Sequence, residues 1–127
     1  MAKSGRFVIM EGFPDDVVVF HVEGTISYND YVKTLIPFIR NKVSLSDKIK
    51  LLCFIGEDFD GFTLGAMWAD TCFGLRYVRK ISKLALVSDI AWVRKVAKIV
   101  SFLLPYPVRI FNDADINEAK SWIVQEV

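Results

Sequence analysis

Apolar residues follow two alternating periods along this chain, and the alternation predicts strands separated by amphipathic helices. Short runs rich in valine, isoleucine and phenylalanine predict strands at residues 7–11, 17–23, 49–55, 84–87 and 108–111. Spacings of three and four predict a helix after Ser27, a second from Leu64, a third over 90–104 and a last over 115–124. The pattern therefore predicts a β/α chain with five strands and about four helices.

The connections between these elements predict the sheet topology. Gly12, Pro14 and Asp15 separate the first two strands by a short turn, which favours an antiparallel pair ending at Gly24. The later strands alternate with helices, which indicates right-handed βα crossovers onto a mainly parallel sheet. We therefore expect one α/β domain over residues 1–127.

Charge and composition exclude several classes of protein. Lys and Arg number 16 and Asp and Glu 15 in 127 residues, so no basic excess points to nucleic acid. No apolar run approaches the roughly 20 residues that span a bilayer. The polar opening MAKSG is not followed by the apolar segment of a secretory signal peptide. We therefore expect a cytoplasmic protein. The cysteines, Cys53 and Cys72, lack a CxxC spacing and are interpreted as buried thiols.

Several segments in order along the chain resemble the SpoIIAA-like family of small bacterial STAS-like proteins. They are EGTISYNDY, GFTLGAMWAD, FGLRY, ALVSDIAW and VRIFNDADINEAKSWI. The resemblance implies a STAS-like β/α superhelix, with a mostly parallel five-stranded sheet and helices largely on one side. It also implies a binding or regulatory role. Relatives in the wider STAS group act as anti-sigma-factor antagonists that are switched by phosphorylation of a serine in the loop after the third strand.

In this chain the corresponding loop contains Asp58, Asp60 and Thr63, and only Thr63 can stand in for that serine. A phosphate at a helix N-terminus would meet free backbone N–H groups. The neighbouring carboxylates would repel it, so a capping role for Thr63 is the favoured interpretation and a regulatory loop the alternative.

The predicted second helix is apolar on two sides. Leu64, Trp68 and Leu75 lie on the stripe expected to face the core, whereas Phe73 and Tyr77 lie on the other side. A helix apolar on both sides requires a second partner, which is a neighbouring helix, a ligand or a second subunit in a homodimer.

The predicted third helix combines a broad apolar stripe with a basic face. The stripe expected to be buried includes Trp92, Val93, Val96, Ala97 and Val100. On the opposite side lie Arg94, Lys95 and Lys98, together with Phe102. A basic face with an aromatic wedge is typical of a peripheral helix on an anionic membrane. An ordinary amphipathic helix is the favoured alternative.

No constellation of catalytic or metal-binding residues is recognisable. His21 is the only histidine and has no acid–base partner nearby in sequence, and the acids around Asp60 lack the EF-hand spacing. We therefore expect no enzymatic activity, metal or cofactor.

Two functional hypotheses remain at this stage. The first is binding of an apolar small molecule, a lipid or the inner membrane surface, and the second is a STAS-type regulatory interaction with a protein, with Thr63 as the candidate switch. The residues expected to serve the first hypothesis are Trp68, Phe73, Tyr77, Trp92, Lys95, Lys98 and Phe102.

Overall fold

A computed structural model describes residues 5–62 and 78–125, the side chains of residues 31, 32, 58, 60, 62 and 78 excepted. It contains five strands and three helices of nine or more residues. The predicted second helix, from Leu64 onwards, lies outside the described residues. In chain order the elements are β1 (Arg6–Met10), β2 (Val17–Ile26), α1 (Ile36–Leu45), β3 (Ile49–Phe62), β4 (Ile81–Val87), α2 (Ala91–Ser101), β5 (Val108–Phe111) and α3 (Ile116–Val124).

The strands form one sheet in the order β1-β2-β3-β4-β5. The pair β1–β2 is antiparallel, and the three other pairs are parallel. Gly12 in the turn between β1 and β2 has φ of 95°, a left-handed conformation that glycine adopts without a steric penalty. The predicted fold class, a mostly parallel five-stranded α/β sheet, is confirmed.

The two faces of the sheet carry separate apolar clusters. On one face, α1 and α2 contribute Ile39 and Val93 to a cluster with strand residues such as Val22 and Leu51. On the other face, Ala119 and Ile123 of α3 pack on Leu52 and neighbouring strand residues. Two of the three described helices therefore share one side, as the family resemblance implies.

The helical segment before β3 begins at the predicted capping residues. Asp30 Oδ2 accepts a hydrogen bond from the Ser27 backbone N–H at 2.7 Å, and the Asp30 N–H donates to Ser27 Oγ at 3.4 Å. A short α-helical turn, Tyr28–Asp30, and a π-helical segment, Tyr31–Leu35, precede α1. Pro37 lies in the first turn of α1, directly after the π-helical segment.

Strands β2 and β3 are longer than the sequence pattern predicts. Gly24 does not end β2, since the strand continues to Ile26 through register shifts on both sides of Gly24. Gly24 and Gly61 adopt φ of 65° and 133°, which lets the two strands bend while they stay paired. The segment after Ile55, predicted to be an acidic loop, is therefore strand as far as Phe62.

Candidate functional site

The apolar stripe of α2 is exposed where the sequence predicted burial. Trp92, Val96 and Ile99 are 52%, 50% and 59% exposed, and within α2 only Val93 is buried. Apolar residues occupy more than one sector of this helix, and periodicity alone does not show which sector meets the sheet. Val93 and Ala97 make that contact, so the broader stripe is left at the surface.

A cavity of about 280 Å³ lies between this helix and the sheet. Its volume is near the lower end of the range for small-molecule sites, and its described lining contains no charged side chain. Strand residues such as Phe20, Leu51 and Leu84 form one wall, and Trp92, Ala97 and Val100 contribute from α2. The sequence alone does not reveal the contribution of the sheet, because each strand residue of the lining also fits an ordinary strand core.

Arg94 fastens the N-terminal end of α2 to the sheet. Its Nη1 donates to the backbone carbonyls of Ser88 and Phe111 at 2.9 and 3.0 Å. The Ser88 Oγ accepts a hydrogen bond from the Ile90 N–H at 3.1 Å. The predicted assignment of Arg94 to an outward basic face is therefore wrong, because these carbonyls draw the guanidinium inward.

Lys95 and Lys98 do lie at the surface, beside the exposed apolar residues of α2. Helix α2 ends at Ser101, so Phe102 is its C-cap residue rather than part of the helix, and it is 81% exposed. The centroid of the Trp92 ring lies 6.0 Å from that of the buried Phe59 ring, so this half-exposed side chain contacts β3.

Two acidic residues that are far apart in the sequence lie close together at the carboxyl edge of the sheet. Asp89 follows β4 and Asp113 follows β5, and the Asp113 N–H donates to Asp89 Oδ1 at 3.0 Å. Burial raises the pKa of the Asp113 carboxyl above its ordinary value, repulsion from Asp89 and Glu57 adds to the rise, and Arg94 opposes it. No group of three potential metal ligands occurs among the described residues.

The other predicted site residues fall into three groups. Trp68, Phe73, Tyr77 and Thr63 lie outside the described residues, as does the predicted dimer surface of the second helix. Asp58 and Asp60 lie in β3, so their placement in a loop is wrong. The reason is that β2 continues past Gly24 and supplies backbone partners for β3 as far as Phe62.

His21 and Cys53 differ from their sequence-based interpretations. His21 Nδ1 lies 3.6 Å from Glu23 Oε1, a partner two residues along the same face of β2. Cys53 is only partly buried, because the apolar cavity lies next to it.

These features define a small α/β domain with an apolar cavity under a surface helix. The SpoIIAA-like family model matches residues 17–124, so the chain belongs to the SpoIIAA-like family. The structure is similar to the crystal structure of an uncharacterized protein from the DUF3478 family with a SpoIIAA-like fold, from Shewanella loihica PV-4. The TM-score is 0.75 at 18% identity, and the match covers 97% of this chain and 95% of that one. None of the curated proteins matches the sequence.

Family membership supports, at a coarse level, a regulatory role in protein interaction. Among the described residues, no helix has the length and apolar character needed to cross a membrane.

Proposed function

We propose that the protein is a non-enzymatic binding protein for an apolar, single-chain lipid ligand, which occupies the cavity under α2. The observation that carries this proposal is the mainly apolar described lining of that cavity, which contains no charged side chain and includes the exposed side chains of Trp92, Val96 and Val100 on α2. A chain without polar groups gains free energy from leaving water and needs no hydrogen-bond partner inside the cavity.

The flanking charges favour a ligand with an anionic end. Lys95 and Lys98 are the exposed cations of α2, and they lie beside the apolar stripe rather than inside the cavity. An anionic head group could stay in water near these ammonium groups while its chain enters the cavity. The same arrangement suits a brief contact between α2, Phe102 and an anionic lipid surface.

Titration with decanoate and hexadecanoate tests the cavity, using calorimetry for affinity and native mass spectrometry for stoichiometry. Ala97→Leu places extra carbon atoms in the cavity and should weaken binding about tenfold, since overpacking costs 1–3 kcal/mol. Val124→Asp, on α3 at the opposite face of the sheet, is the matched control and should bind like the wild type. Wild-type protein that binds neither fatty acid, or Ala97→Leu that binds as tightly as wild type, would refute the proposal.

Vesicle flotation tests the surface contact. We expect binding to phosphatidylglycerol vesicles but not to phosphatidylcholine vesicles, and less binding as salt screens the lysines. Phe102→Asp should abolish it without unfolding the protein, because this ring is 81% exposed. Retention of Phe102→Asp on the vesicles would remove the membrane part of the proposal and leave the cavity part in place.

Family membership favours a second candidate function, a STAS-type regulatory interaction with a protein. The exposed face of α2 would then meet that partner, and Thr63 would be the candidate switch. Unchanged partner binding by Thr63→Ala under phosphorylating and non-phosphorylating conditions would eliminate the switch. Enzymatic turnover that depends on Asp60 would instead contradict a non-enzymatic role.

A further inference from the structure

β1 is an edge strand with few of the features that normally prevent edge-to-edge association. In the described sheet it pairs only with β2, in an unbroken antiparallel register from Arg6↔Glu23 to Met10↔Val19. The strand contains no proline, glycine or bulge, and its single charge, Arg6, stands at one end. Native edges are usually protected by such breaks or by charges.

The opposite edge of the sheet is better protected. β5 is only four residues long, it follows Pro107, and it carries exposed Arg109 within the strand. A short edge with a proline and a charge resists pairing with another chain. Self-association through an edge is therefore expected at β1 and not at β5.

The surface beside β1 would also gain from being covered. Val8 and Met10 lie on the sheet face that carries α3, but the main strand contacts of α3 are with β3 and β4. Met10 is 39% exposed, and Val8 is half-buried. An apolar strip therefore runs along the β1 side of this face, beyond the reach of α3.

The sequence of β1 is self-complementary under two-fold symmetry. In an antiparallel pairing centred on Val8, each Val8 stands opposite its counterpart, Phe7 faces Ile9 of the second copy, and Arg6 faces Met10. No like charges stand directly opposite each other, and Arg6 Nε already binds Glu23 Oε2 within its own chain at 2.7 Å. A net charge of +1 adds little repulsion between copies.

We propose that two copies of this chain associate through β1, so that their sheets continue across a two-fold axis. The pairing is isologous, and it adds backbone hydrogen bonds along five residues of each chain. This interface is small compared with the standard size of stable complexes, so the dimer should depend on protein concentration. The inference does not rest on the proposed ligand.

Sedimentation velocity over a series of protein concentrations tests the pairing. Val8→Lys places two ammonium groups opposite each other at the axis and should raise the dimer dissociation constant at least about tenfold, a free-energy change of about 1.4 kcal/mol. Leu45→Lys, an equally charged change at an exposed position at the end of α1, should leave the constant unchanged. Met10→Lys provides a second variant at a more exposed position, where the lysine would face Arg6 of the second copy.

A charge-exchange experiment separates loss of pairing from loss of folding. Val8→Glu alone should also raise the dimer dissociation constant, whereas an equimolar mixture of Val8→Lys and Val8→Glu should lower it again, because opposite charges then meet at the axis. Circular dichroism of each variant reports the folded fraction. Wild-type protein that is monomeric at every concentration would overturn the proposal. A dimer that survives both Val8→Lys and Met10→Lys, or one lost only on Ile99→Lys in α2, would overturn it as well.

Discussion

Lys83 stabilises the C-terminal end of α3 from a buried position on β4. Its Nζ donates to the carbonyls of Trp122 and Gln125 at 2.9 and 3.0 Å and lies 4.7 Å from the centroid of the Trp122 ring. The last carbonyls of a helix have no partner within the helix, and a cation is favourable at that end of the helix dipole. The ammonium group therefore acts as a C-cap supplied by a strand.

Lys83→Met should lower the free energy of unfolding by about 1–3 kcal/mol, the usual contribution of hydrogen bonds to a charged group. The methionine side chain is similar in shape to the aliphatic part of Lys83, so the loss of unfolding free energy reports mainly on the ammonium group. Urea unfolding measures it, and Lys80→Met in an exposed turn is the control. Equal stability of the two variants would contradict the capping role.

The Asp113 carboxyl should make stability depend on pH. Since its folded pKa is raised, the folded state binds this proton more tightly than the unfolded state, and the associated stability is present below the ordinary pKa of about 4. The free energy of unfolding should therefore fall as pH rises through the window just above that value. This pH dependence is opposite in sign to that produced by a carboxylate in a salt bridge, which makes the free energy of unfolding rise with pH.

Asp113→Asn removes this titration. At pH 7 we expect a gain below about 1 kcal/mol, because water screens repulsion between partly exposed carboxylates. Urea unfolding measures the free energy of unfolding at several pH values between 4 and 7. This free energy should decline less with rising pH for Asp113→Asn than for wild type or for the exposed control Asp115→Asn. A decline as large as that of wild type would rule out Asp113 as its source.

At the scale of elements, α2 is held by a narrow contact. Val93 and Ala97 face the sheet, and Arg94 anchors the N-terminal end, whereas Trp92, Val96 and Ile99 are at least half exposed. The periodicity of apolar residues predicted the helix itself. The side of the helix that is buried depends on Arg94, whose side chain turns inward to backbone carbonyls at the ends of β4 and β5. The periodicity of apolar residues carries no information about that contact.

The two sectors of α2 should respond differently to substitution. Val93→Ala removes buried methyl groups and should cost roughly 1–2 kcal/mol, whereas Ile99→Lys at the surface should change stability by less than about 0.5 kcal/mol. Thermal unfolding followed by circular dichroism compares the two variants. A larger loss for Ile99→Lys would show that the outer stripe is covered in solution.

At the scale of the whole molecule, the cavity would couple binding of the proposed ligand to folding. A ligand that binds only the folded chain raises the free energy of unfolding by about 2.7 kcal/mol at a concentration one hundred times its dissociation constant. Thermal unfolding should therefore shift upwards with hexadecanoate if the proposed function holds. Ala97→Leu should show a much smaller shift at the same concentration, and equal shifts would place the ligand elsewhere.

The sequence by itself determined the architecture of this protein. Alternating periods of apolar residues, the turn formers between the first two strands and the capping pair Ser27 and Asp30 are local signals, and among the described residues each predicted the presence and type of its element, though not always its bounds. The family resemblance followed from the order of such segments along the chain, and the family match confirmed it.

Only the tertiary structure decided the candidate site. The extension of β3 to Phe62 depended on β2 continuing beside it, and the cavity depended on how far α2 stands from the sheet. The proximity of Asp89 and Asp113 arose because parallel strands bring their carboxyl ends to one edge. These features come from distances between segments far apart in the chain, and no local pattern of residue types records such distances.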